Sequence, residues 1–424
     1  AHDSRMFARV ARTTAVAFSS AAPPLSVRLL RSVSTESLSV YTYGKGAIGA
    51  LGHNDYNDRE YPCRVDSLEG RGIHKIACGW AHNCLVDGDG EMVIFGRTQD
   101  VRNIIGAGNM ISYLPKVIRS FNNFFKNTVI ETRFPSVLPI EDGKCVDVAA
   151  SMALSFCLTD THHIYAYGYN RYGQCGVDMK DVNLYAPKQV MLDEDEIPVK
   201  LACGFQHACC LCESGRVYAW GKANHGQLGR GDVDMTFKPL LMDTDASIHY
   251  RDVYAGFSSS ILISDDGKLY IAGKYWGDGQ NRKNAKMFGD STYPRLVPLD
   301  HQIDLFASGQ FHMTYTDTKG QLYQLGLEDS ETCRTIEEES KRDESKRMHR
   351  EPVPVDMSSI QGIRFKKLLC SFTESYGITD DGDVYKWNWL SPPAKVKILD
   401  EIKVEDISFG WKHVLVLGSP RKEV

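Results

Sequence analysis

Apolar residues in this chain gather in short runs broken by glycine, and the runs recur in one register. A half-motif reads apolar-x-Cys/Ala-Gly-x-x-His, then an apolar stretch, then Gly, Tyr and Trp/Phe-Gly. It stands as Cys78-Gly79-Trp80-Ala81-His82 with Gly90 and Phe95-Gly96, and as Cys203-Gly204-Phe205-Gln206-His207 with Gly215, Tyr218 and Trp220-Gly221. It returns at Gly256, Gly267, Tyr270 and Gly273, and at Gly309, His312, Gly320, Tyr323 and Gly326. Two copies put Ser151 and Ser371 in place of the first glycine, while Gly168, Gly382 and Tyr385 keep the register. From first to last anchor the offset is 17 in all six copies (79–96, 151–168, 204–221, 256–273, 309–326, 371–388). A fixed offset of this kind marks one supersecondary unit repeated along the chain.

A third landmark, Pro-x-x-apolar, occurs at Pro62/Val65, Pro115/Ile118, Pro187/Val190, Pro239/Met242, Pro294/Val297, Pro352/Val355 and Pro393/Val396. Proline suits a strand start or an edge strand, so each landmark predicts one more strand per unit. A lone four-stranded sheet of about fifty residues cannot bury both faces, whereas several packed radially can. Near the C-terminus Ile407-Ser408-Phe409-Gly410-Trp411-Lys412-His413 opens a seventh copy that lacks its second half. Near the N-terminus Val40-Tyr41-Thr42-Tyr43-Gly44 is a second half without a first. Joined, they make seven units, and a ring closed this way has no free ends of sheet to aggregate through. The expected architecture is all-β, a seven-bladed β-propeller over residues 38–424 closed by strands from both termini, with insertions at 119–146 and 327–351.

The turns that follow the last anchor sharpen the picture. Tyr169-Asn170-Arg171-Tyr172-Gly173-Gln174-Cys175-Gly176 and Ala223-Asn224-His225-Gly226-Gln227-Leu228-Gly229 resemble the Asn-x-x-Gly-Gln-Leu-Gly turn of the regulator of chromosome condensation repeat family. The resemblance runs from Leu38 to Leu417 and implies the propeller fold. It leaves function open, since that family includes guanine nucleotide exchange factors, a plant ultraviolet photoreceptor and organellar assembly factors. Its mitochondrial members imply a role in organelle gene expression, ribosome biogenesis or respiratory-complex assembly. The turns at Arg97–Gly106, Lys274–Gln280 and Leu327–Arg350 depart from the pattern, and Pro392-Pro393 follows Asn388 almost directly.

Composition adds a compartment. Residues 1–37 hold Arg9, Arg12, Arg28 and Arg31 and, from Met6 to Thr35, no Asp, Glu or Lys. Phe7, Val10, Ala11, Thr14 and Phe18 recur at helical spacing until Pro23-Pro24. An amphipathic, acid-free, Arg- and Ser-containing stretch reads as a mitochondrial transit peptide, with a disordered tail as the alternative. The expected location is the mitochondrial matrix. A net charge of -5 over 424 residues gives no overall nucleic-acid footprint, and no apolar run is long enough for a transmembrane helix. Twelve cysteines in a chain of this length suit a reducing compartment rather than a disulfide scaffold.

The chemical motifs do not survive the register. Gly44-Lys45-Gly46-Ala47-Ile48-Gly49 matches G-x-G-x-x-G, but it occupies the turn position of Gly168–Gly173 and lacks the helix a phosphate cradle needs. Cys209-x-x-Cys212 has zinc-knuckle spacing, with Cys203, His207 and Cys210 nearby. Cys209 and Cys210 align with Cys84 and Leu85 inside a strand, so buried free thiols are the expectation. His82, His207, His312 and His413 recur once per unit, either as framework elements or as a ring near the central opening. No acid or nucleophile recurs beside them, so no catalytic, cofactor-binding or metal-binding residue is assigned. The six tryptophans (80, 220, 276, 387, 389, 411) are scattered, against a photosensory cluster.

Two departures from the repeat carry the expected partner contacts. The segment from Ser120 to Pro139, about 19 residues longer than the repeat allows, carries Phe121, Phe124, Phe125 and Phe134, which either cover their own blade or dock a partner. The second, Glu328 to Arg350, is acidic first and basic last. It is either a solvated run or, through Lys341, Arg342, Lys346, Arg347 and Arg350, a contact to RNA phosphate or an acidic protein. The expected function is a non-enzymatic mitochondrial scaffold for protein partners. The alternative is a guanine nucleotide exchange factor for a small or dynamin-like GTPase, with the 120–139 segment as its wedge.

Overall fold

Strands that are apolar on both sides need a neighbouring sheet against each face. Leu154–Thr159, His207–Cys212 and Ser259–Ser264 are buried at every position. The computed structural model describes residues 38–97, 131–177, 182–274, 291–327 and 348–421, and it arranges them as seven four-stranded antiparallel sheets.

Blade 1 comprises Lys75–Cys78, His82–Val86, Met92–Arg97 and Glu131–Leu138. Blade 2 comprises Cys145–Ser151, Leu154–Thr159, Ile164–Tyr169 and Asn183–Val190. Blade 3 comprises Pro198–Cys203, His207–Cys212, Val217–Gly221 and Thr236–Leu241. Blade 4 comprises Tyr250–Ala255, Ser259–Ser264, Leu269–Gly273 and Ser291–Val297. Blade 5 comprises Ile303–Ser308, His312–Asp317, Leu322–Leu327 and Met348–Pro354. Blade 6 comprises Phe365–Cys370, Ser375–Thr379, Val384–Asn388 and Ser391–Lys395. Blade 7 takes Ile402–Phe409 and His413–Pro420 from one end of the chain and Ser39–Gly44 and Arg59–Arg64 from the other. Ser39 pairs with Gly418 and Gly44 with His413, so the expected closure is the observed one.

The first strands of successive blades touch one another all the way round and form the inner wall. The core is divided by seam. In blade 1, Leu85, Val93 and Phe95 pack toward blade 7, while Cys84, Val86, Met92 and Ile94 pack toward blade 2. Such alternation recurs at all seven seams, and it is the physical reason why these strands read as continuous apolar runs.

Each third strand breaks register with the fourth at one point, as between Ile94 and Gly96 in blade 1 and Ala219 and Gly221 in blade 3. Gly96 sits there with φ +93°, where an added Cβ would lie 2.4 Å from the Ala81 carbonyl oxygen. Only glycine fits. The outermost strands carry Pro62, Pro135, Pro187, Pro239, Pro294, Pro352 and Pro393, which removes a donor from each exposed edge.

Pro135 corrects the sequence reading. The fourth strand of blade 1 is Glu131–Leu138, with Leu138 opposite Met92, so Pro135/Leu138 holds the place expected of Pro115/Ile118. The extra length therefore precedes this strand instead of following it. The expected insertion over 119–146 contains a propeller strand, Glu131–Leu138, and the start of another, Cys145–Ser151. Likewise Met348–Pro354 pairs with Leu322–Leu327, which trims both ends of the insertion expected at 327–351 and puts Arg350 in an outer strand. Residues 1–37 lie outside the described residues. Among the described residues, no helix is long and apolar enough to cross a membrane.

Candidate functional site

The turns between first and second strands all lie at one end of the axis, and their chemistry starts with Gly-x-x-His. Gly79, Gly204, Gly309 and Gly410 each donate a backbone N–H to the carbonyl of His82, His207, His312 or His413, at 2.8–2.9 Å. The imidazole folds back under its own glycine: a Cβ on Gly79 would lie 2.0 Å from His82 Cε1, and one on Gly204 2.1 Å from His207 Cε1. Two of the rings then bond to the next blade. His82 Nε2 is 2.9 Å from Ser155 Oγ, and His413 Nε2 is 2.9 Å from Asn83 Oδ1 across the closing seam. Burial pushes His82, His207 and His312 down to about 4 and His413 to about 3. These histidines are neutral struts between blades. In blades 2, 4 and 6 their place is taken by Leu154, Ser259 and Glu374.

Turning the histidine inward leaves the residue beside the glycine pointing along the axis. Trp80, Phe205, Phe257, Phe372 and Trp411 each follow a Gly or Ser anchor, and Phe311 lies one place further on. Five of these rings close a circuit, and Trp411 stacks on one of them. Trp411 stacks on Trp80 at 5.7 Å and Trp80 meets Phe205 at 5.2 Å. Phe205 stacks on Phe257 at 4.2 Å and Phe257 on Phe311 at 5.2 Å. Phe311 meets Phe372 at 5.8 Å, and Phe372 returns to Trp80 at 6.3 Å. Met152 and Tyr169 of blade 2 pack against the same cluster. Backbone bonds tie the turns together, with Trp80 N–H donating to Met152, Phe257 to Gln310 and Trp411 to Trp80. The axis is thus capped by aromatic carbon at this end. Trp411 is 53% exposed, so the cap presents apolar surface to solvent.

The same end carries cations on aromatic rings. Lys412 Nζ sits 4.3 Å from the Trp411 centroid, and Lys222 Nζ 4.9 Å from that of Tyr172, which packs beside Trp80 and Phe205. Lys222 also donates to Gln206 Oε1 at 2.8 Å. Glu374, the acid on these turns, is already engaged by Tyr376 Oη at 2.6 Å and Lys386 Nζ at 2.9 Å. The far end is different: residues 193–196 are four consecutive carboxylates, and 380–383 supply three more. Third-to-fourth strand connections also emerge at the aromatic end, including those leaving Arg97, Gly273 and Leu327.

Of the residues expected to bind a partner, Phe134 is described. It is half-exposed on the outer strand of blade 1, where it walls a cleft of about 400 Å³ with Gly52, His53, Asn54, Asp66 and Ser67. That cleft lies at the rim, at the seam of blades 7 and 1, and Phe134 takes no part in the axial ring. Phe121, Phe124, Phe125, Lys341, Arg342, Lys346 and Arg347 lie outside the described residues. The cysteines follow the strand reading: Cys209 packs in the seam to blade 4, while Cys210 and Cys212 pack in the seam to blade 2. The glycine-rich turn has its amides in use, since Gly46 N–H donates to Asp58 Oδ1 and Gly49 and Gly52 N–H donate within the turn. Sequence reasoning missed the aromatic ring and judged the tryptophans scattered, yet Trp80 and Trp411 are stacked. Their shared position after the anchor glycine was the available signal.

Seven seam-packed blades, joined in a ring by both termini, define a repeat β-propeller. Residues 39–86, 161–211 and 214–263 match the regulator of chromosome condensation (RCC1) repeat, and the chain belongs to that family. Over 238 residues it is 28% identical to the Ultraviolet-B receptor of Arabidopsis thaliana, a match covering 56% of this chain and 49% of the receptor. The chain therefore spans about half the length of that relative. Human WBSCR16 has a similar structure, with a TM-score of 0.69 and 19% identity, covering 90% of this chain and 100% of that one. Prp20p from Saccharomyces cerevisiae gives a TM-score of 0.70 at 19% identity, with 92% and 93% covered. At such identity these likenesses show the fold alone.

Proposed function

We propose that this protein is a non-enzymatic scaffold that docks protein partners on the aromatic end of its propeller. Its setting in this reading is the mitochondrial matrix, in organelle gene expression, ribosome biogenesis or respiratory-complex assembly. The observation that carries the docking reading is the axial cap: six aromatic rings from six blades, rigidly held, with Trp411 half out of the protein. Pre-organised aromatic surface of this kind is what binding hot spots use, because little conformational freedom is lost on association. The arginine-bearing N-terminal residues, acid-free from Met6 to Thr35, support the compartment. Proximity labelling in intact cells tests the whole reading. Mitochondrial partners whose labelling falls on Trp411→Ala are the expected result. Nuclear or cytosolic partners alone would overturn it.

A second reading is guanine nucleotide exchange on a small or dynamin-like GTPase. Its support is the lengthened connection that leaves Arg97 at this same end and returns at Glu131. The similar structure of Prp20p, with reported binding properties toward Gsp1p and histones, makes a GTPase a reasonable test partner. Nucleotide release from organellar GTPases, measured with and without the full chain, decides it. No acceleration on any of them removes this reading.

A further inference from the structure

The chemistry of the aromatic end narrows what could seat there. The row Trp411–Trp80–Phe205 is apolar, and its contacts of 5.7 and 5.2 Å make a strip that about three extended residues cover. Lys412 flanks one end of this strip and Lys222, held by Gln206, flanks the other. Among the described residues neither ammonium is paired with a carboxylate, and the acid of these turns, Glu374, is occupied by Lys386. At the opposite end of the propeller Glu196 and Asp383 are ion-paired, but Asp193, Glu194, Asp195, Asp380 and Asp381 leave carboxylates in excess, so a negatively charged segment is disfavoured there and attracted here. A basic segment would meet the reverse.

We propose that the Trp411–Trp80–Phe205 strip is a docking site for an extended acidic–apolar protein segment, its apolar side chains on the rings and its carboxylates on Lys412 and Lys222. The proposal rests on the docking function above and specifies its partner class. An aromatic strip with a cation at each end reads the sequence of such a segment in a simple way. The rings supply apolar contact area, and the ammonium groups set the spacing and sign of the flanking charge.

The test uses the full chain and two fluorescein-labelled synthetic peptides, each with a Leu-Phe-Leu core. One has two aspartates on each side of the core and the other two lysines. In anisotropy titrations the aspartate peptide is expected to bind at least about tenfold more tightly than the lysine peptide. Trp411→Ala and Lys412→Glu are each expected to weaken it by about tenfold, while Tyr293→Ala on an outer strand leaves it unchanged. Melting curves establish that each variant is folded, and Lys412→Glu removes no core contact. Equal binding of both peptides, no binding, or aspartate-peptide binding unaffected by both cap variants would each overturn the proposal. If the peptides fail but labelling of mitochondrial partners still depends on Trp411, this inference falls and the docking function stands.

Discussion

His82, His207, His312 and His413 show how one residue type can be fixed by its neighbours. Each ring occupies the volume a glycine leaves empty three residues earlier, and each is buried without charge. Gly204→Ala would press a methyl group against the His207 ring and the Gly256 carbonyl oxygen, 2.6 Å away, so a loss of about 1–3 kcal/mol is expected in denaturant titrations. Adding His207→Ala should recover part of that loss, which a double-mutant cycle would show. The depressed pKa values also set a pH window. Below the ordinary histidine value of about 6.5 the unfolded chain takes up protons that the folded chain refuses. The contribution is therefore complete above pH 6.5 and disappears as pH falls toward 4. Each ring should cost about 1.4 kcal/mol per pH unit in that window. Thermal melts between pH 7.5 and 4.5 should show this slope, and His312→Gln should make it shallower.

At the scale of elements, the turns do more than reverse the chain. The turn over 46–52 packs on the outer strand of blade 1, with Asn54 N–H donating to the Arg133 carbonyl at 2.8 Å. The Gly173–Gly176 turn receives Trp220 Nε1–H on the Gln174 carbonyl at 3.0 Å, joining blade 3 to blade 2. Trp220→Phe keeps part of the packing and orphans that carbonyl, so a cost of about 1–3 kcal/mol is expected, against about 3–5 kcal/mol for Trp220→Ala. These turns were legible from their glycines, and the first three strands of each blade from their constant offset. The fourth strand of blade 1 was not. Pro115 to Ile118 and Pro135 to Leu138 satisfy one pattern equally well, and only pairing with Met92–Arg97 chooses between them. The aromatic cap was hidden for a related reason: one aromatic residue per repeat looks isolated until the ring brings the repeats together.

The propeller as a whole has two unlike ends, one capped by aromatic rings and cations, the other rich in carboxylates. Partner association at the capped end should slow as salt rises, because steering by the charge difference is screened. Stopped-flow mixing at two ionic strengths with a captured partner checks this, and an unchanged rate would count against electrostatic steering. Closure of blade 7 has a further consequence, in time rather than space. Among the propeller strands Ser39–Gly44 comes earliest along the chain and must wait for His413–Pro420, which comes latest, so the ring cannot lock until that strand has been made. Contacts this distant along a chain form slowly and leave early strands available to wrong neighbours. A chaperone-bound open ring is the expected companion of this topology, and pulse-labelled hydrogen exchange should find the amides of Val40 to Tyr43 among the last to become protected.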